Sequence, residues 1–84
     1  MKKIALTGGQ LRAARALLGW TAQQLADAAG VGVATIRRTE TVEGPVKMIG
    51  ATTAAIARAL DDAGIELIEP NGGGAGVRHK DPAR

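Results

Sequence analysis

Residues 11–40, LRAARALLGWTAQQLADAAGVGVATIRRTE, decide the reading of this chain. Apolar residues recur at helical spacing, interrupted by glycines at positions that stop helices. The first helix is expected over about 8–18, with Leu11, Ala14 and Leu18 on one face. Thr7 and Gln10 have the spacing of a capping box, and Leu6 and Leu11 that of a hydrophobic staple. Gly19 ends this helix in the left-handed conformation. The same grammar repeats at once: Thr21 caps, Gln24 completes the box, Trp20 staples to Leu25, and the second helix runs over about 22–29 until Gly30. After a three-residue turn a third helix is expected over about 33–41. Ile36 points to the core and the adjacent Arg37 and Arg38 to the open side.

Outward from this stretch the signals weaken. Glu43-Gly44-Pro45 is a break, and 46–50 reads as a loop closing on Ile49. A fourth helix over about 51–63 buries Ile56, Leu60 and Ala63 and stops at Gly64. Asp61 and Asp62 lie at the negative end of its dipole, so they are either solvated or met by a basic group. Residues 65–69, IELIE, are branched and partly alternating, as in a strand. Residues 70–76, PNGGGAG, form a turn, and 77–80, VRHK, can return as a second strand; a frayed tail is the alternative. An isolated hairpin is marginal in water, so Ile65, Leu67, Ile68 and Val77 are the expected dimerisation residues. The organisation is thus a 1–64 helical domain followed by a 65–84 tail.

Composition excludes much. A chain of 84 residues is one domain and buries only roughly 60–65% of its unfolded surface, so a partner subunit would help it. With one aromatic residue, Trp20, the core must be built from Leu, Ile, Val and Ala. There is no Cys, Ser or Tyr, and His79 is the one histidine. Disulfides, thiolate metal sites and the usual Ser or Cys nucleophiles are therefore excluded. No enzyme, metal, cofactor or small-molecule ligand is expected. No apolar run approaches the length of a membrane span, and MKKIALTGG is too short in apolar residues for a signal peptide, so a cytoplasmic protein without a membrane partner is expected. Charge is segregated. Residues 1–58 hold eight Lys/Arg against three acids, and residues 59–84 three against five. The positive charge accompanies the three helices, as an electrostatic footprint for nucleic acid would.

The pattern LxxxRxxxGxTxxxLAxxxGVxxxTIxxxE, formed by Leu11, Arg15, Gly19, Thr21, Leu25, Ala26, Gly30, Val31, Thr35, Ile36 and Glu40, resembles the lambda repressor/Cro type of helix-turn-helix, the XRE family. The likeness covers 6–42 well, the fourth helix in outline and the tail not at all. It implies a mostly α, four-helix lambda-repressor-like domain, here with a short C-terminal strand or hairpin. It also implies a transcriptional regulator that binds double-stranded DNA as a homodimer on a near-palindromic operator. The third helix would lie in the major groove, with Val33, Ala34, Arg37 and Arg38 at base edges. Arg12, Thr21, Gln23, Thr35 and Lys47 would meet phosphates. Arg15 and Glu40 match a family salt bridge between the first and third helices. Three departures stand out. Ala22 replaces a frequent glutamine and so loses a phosphate clamp. Gly32 replaces a Ser or Thr cap, and Thr39 replaces a Leu or Ile, which weakens the anchor of the third helix. An alternative function is an antitoxin or interaction module that holds a larger protein partner through its tail.

Overall fold

The computed structural model describes residues 6–41 and 50–82. The elements are α1 (Gly8–Leu18), α2 (Ala22–Ala29), α3 (Val33–Glu40), α4 (Gly50–Asp62), β1 (Ile65–Ile68) and β2 (Gly76–His79). The expected break at 43–45, the loop through Ile49 and Lys47 lie outside the described residues.

Both capping boxes are present. Thr7 Oγ1 accepts from the Gln10 backbone N–H at 3.0 Å, and Gln10 Oε1 accepts from the Thr7 N–H at 2.9 Å. Thr21 and Gln24 repeat the arrangement at 3.1 and 2.7 Å. Each box satisfies two backbone donors that a helix start otherwise leaves open. Gly19 and Gly30 close the two helices with φ of 68° and 71°, where a side chain would be strained. Helix α3 starts differently: Gly32 caps it with no side-chain hydrogen bond. The helix ends at Glu40, one residue short of the expected boundary, because Thr41 is its C-cap; the Thr41 hydroxyl donates to the Arg38 carbonyl at 2.7 Å.

The core is aliphatic, as a chain with one aromatic residue requires. Leu6, Leu11, Leu25, Ile36, Ile56, Leu60 and Ile65 are fully buried, with Ala14 and Ala26 between them. Helix α1 packs on α3 and β2, α2 on α3 and α4, and α4 on β1. Trp20 is half-buried against this core. Ala26, with no exposed surface, is small enough for α2 and α3 to approach closely.

The tail is a hairpin within one chain. β1 and β2 are antiparallel, with Ile65 opposite His79, Glu66 opposite Arg78, Leu67 opposite Val77 and Ile68 opposite Gly76. Ile65, Leu67 and Val77 pack inward on the helical core. On the other face Arg78 donates to Glu66 at 2.8 Å. Gln10 ties the hairpin to α1: its Nε2 donates to the carbonyls of Ile68 at 3.2 Å and Gly76 at 3.0 Å. One side chain therefore caps α1 and holds the loop end of the hairpin. Asp61, at the C-terminal end of α4, is met by Lys80 Nζ at 2.5 Å, and Arg58 stands 4.0 Å from Asp62. The acidic end of the helix is thus compensated by Lys80, just past β2, and by Arg58 on α4 itself.

Candidate nucleic-acid interface

Helix α3 divides cleanly by face. Ile36, Thr39 and Glu40 are buried, and Val33 packs partly on the core. Ala34, Arg37 and Arg38 are exposed, and the i, i+3, i+4 spacing sets them along one side. Among the described residues, neither Arg37 nor Arg38 is held in an ion pair. Both stand in the last turn of α3, where a cation also suits the helix dipole.

The opposite flank of α3 is braced by α1. The Arg15 guanidinium meets the Glu40 carboxylate with two hydrogen bonds, Nε to Oε2 at 2.5 Å and Nη2 to Oε1 at 2.9 Å. Its Nη1 donates to the Trp20 carbonyl at 2.8 Å, at the junction of α1 and α2. Glu40 is buried, and its side chain keeps 10% of its exposure against 24% for Arg15. The hydrogen bonds to Glu40 raise the Arg15 guanidinium above its ordinary value; burial opposes the rise and the charge of Glu40 adds to it. This bidentate geometry fixes direction as well as distance, so α3 is oriented against α1 and the α1–α2 corner together.

Arg12, expected at a phosphate, donates through Nη1 to the backbone carbonyl of Glu40. It closes one of the carbonyls that the C-terminus of α3 leaves open. The residue is exposed overall, yet its guanidinium is used inside the fold. Thr39 is buried, as an anchor at that position should be, and its hydroxyl donates to the Thr35 carbonyl at 2.6 Å. Burial of this polar group is therefore compensated within the helix, and the anchor is weakened less than a threonine in place of Leu or Ile suggests.

The other phosphate candidates are placed as follows. Thr21 is exposed at the N-cap of α2, with its oxygen accepting from Gln24. Gln23 is exposed and donates to Asp27 at 2.8 Å along the same helix. Thr35 is half-buried. Thr21 and Gln23 thus stand at the N-terminal end of α2, beside the α1–α2 corner, while Arg12 is drawn to the C-terminal end of α3. The tail residues expected at a subunit interface are largely turned inward. Ile65 retains 1% of its exposure in its own core, so it has no surface to offer a partner; Leu67, Ile68 and Val77 keep part of theirs.

A family model described as a helix-turn-helix domain matches residues 7–64, well over half of the chain. The chain belongs to the helix-turn-helix domain family. The matched span begins at the Thr7 cap and ends at Gly64, so it takes in all four helices and leaves the hairpin outside. No curated protein matches the chain. In this helix-turn-helix domain, α2, the turn 30–32 and α3 are the motif that gives the family its name. No helix among the described residues is long and apolar enough to cross a membrane.

Proposed function

We propose that this helix-turn-helix protein is a sequence-specific transcriptional regulator, cytoplasmic, which binds double-stranded DNA as a homodimer on a near-palindromic operator. The observation that carries the reading is the division of α3: Ala34, Arg37 and Arg38 stand exposed on one side while Ile36 and Glu40 hold the other. A helix braced on one flank presents its open flank as a rigid unit, and a major groove accepts such a helix. Arg38, with Arg37 beside it, reads guanine by donating to O6 and N7, and Val33 and Ala34 contact thymine methyls. Thr21, Gln23 and Thr35 approach phosphates and set the register. Two copies place their reading helices one DNA turn, about 34 Å, apart.

Selection from a randomised DNA pool at two salt concentrations tests this. An enriched two-fold motif that survives the higher salt supports the reading. Binding without enrichment that collapses with salt reflects phosphate attraction alone and contradicts it.

A further inference from the structure

The turn between β1 and β2 carries the only asparagine of the chain, Asn71, followed by Gly72-Gly73-Gly74. All four residues are exposed and lie in neither strand. Gly72 has a φ of 98°, and there is open space around each of these glycines where a side chain would project. Among the described residues, no hydrogen bond or ion pair holds the Asn71 side chain. We propose that Asn71-Gly72 is a self-modifying site at which the folded protein converts asparagine to aspartate and isoaspartate.

The chemistry needs only water. The backbone nitrogen of Gly72 attacks Asn71 Cγ; the new N–Cγ bond closes a five-membered succinimide. The Cγ–Nδ2 bond breaks, and the amide nitrogen leaves as ammonia, carrying the proton lost from the Gly72 nitrogen. Water then adds to either ring carbonyl and opens the ring to aspartate or isoaspartate. The sum is one water consumed, one ammonia released, no change of oxidation state and one carboxylate gained. Glycine at the attacking position has no side chain to block the approach, and attack requires a backbone free to rotate. A strand or helix would deny that freedom, whereas this turn joins Ile68 and Gly76 without belonging to the ladder.

The formal net charge of +3 falls by one unit with each event. Isoaspartate also lengthens the backbone by one carbon, but within a turn whose two ends Gln10 already grips. The hairpin therefore survives the change.

The test uses the full chain, incubated in heavy-oxygen water at neutral and mildly alkaline pH. Intact mass and peptide mapping follow the label, and an isoaspartate methyltransferase counts the isomer. The expected result is one labelled event per chain at Asn71, faster at the higher pH and absent from Asn71→Gln. The rate in the folded protein should be within about threefold of that in urea, because an exposed turn opens at almost no cost. A folded chain that keeps its mass while the unfolded chain converts would overturn the proposal, as would labelling that persists in Asn71→Gln.

Discussion

Two pairs of arginines stand on neighbouring helices of this molecule. Arg37 and Arg38 on α3 point outward and are held by no ion pair among the described residues. Arg12 and Arg15 on α1 both turn to one residue, Glu40 at the end of α3, one to its carbonyl and the other to its carboxylate. The residue type is the same and so is the formal charge. The difference lies in what each guanidinium can reach: a helix C-terminus and a buried carboxylate for the α1 pair, solvent for the α3 pair. The basic residues of α1 and α3 therefore fall into a bracing set and an exposed set, and tertiary contacts decide which is which.

The largest expected effect breaks the brace. Glu40→Ala leaves Arg15 partly buried with no carboxylate. A fully buried pair broken in this way loses about 3–5 kcal/mol; with Arg15 still a quarter exposed, about 2–3 kcal/mol is expected, measured by urea denaturation. Because the pair raises the Arg15 pKa, its stabilisation is complete below the ordinary arginine value and is lost only as pH rises through the raised one. The difference between wild type and Glu40→Ala in this contribution of Arg15 should accordingly stay constant from neutral to mildly alkaline pH.

Next comes the hairpin clasp. Gln10→Ala removes half a capping box and two hydrogen bonds to the hairpin, for a loss of about 1–2 kcal/mol. Amide exchange in residues 65–79 should accelerate more than in α2.

Arg12→Ala sharpens the comparison. As a brace, Arg12 contributes about 1 kcal/mol to folding, and its loss leaves the salt dependence of DNA binding unchanged. A slope of log K against log salt reduced by about 0.9 would instead return Arg12 to the phosphates. The smallest effect is a gain: Gly32→Ser supplies the cap that α3 lacks and should stabilise by a few tenths of a kcal/mol, read as a small rise in melting temperature.

Which features were legible beforehand follows from the range of the interactions involved. The starts and stops of α1 and α2 depend on residues three to five positions apart, such as Thr7 with Gln10 or Gly30 with Ala26, so they could be read along the chain. Ile36 and Leu25 followed from periodicity. The second task of Gln10 spans 58 and 66 residues to Ile68 and Gly76, and nothing local signals it. The diversion of Arg12 depends on the end of α3 lying beside α1, which spacing alone does not reveal. A strand-like tail has no obvious partner along the sequence, so nothing local signals that Ile65 packs in the core of its own chain. The Lys80–Asp61 pair answers the acidic end of α4 in a way that only the return of β2 makes possible.

The exposed flank of α3 is proposed to read bases. The most direct measurement compares native protein and Arg38→Ala on a selected operator and on a set of its single-base variants. The account predicts a loss of about 1–3 kcal/mol on the operator, with preference relaxed at one base position and kept elsewhere. Equal weakening on every sequence, with a shallower salt slope, would make Arg38 a phosphate contact and contradict the account.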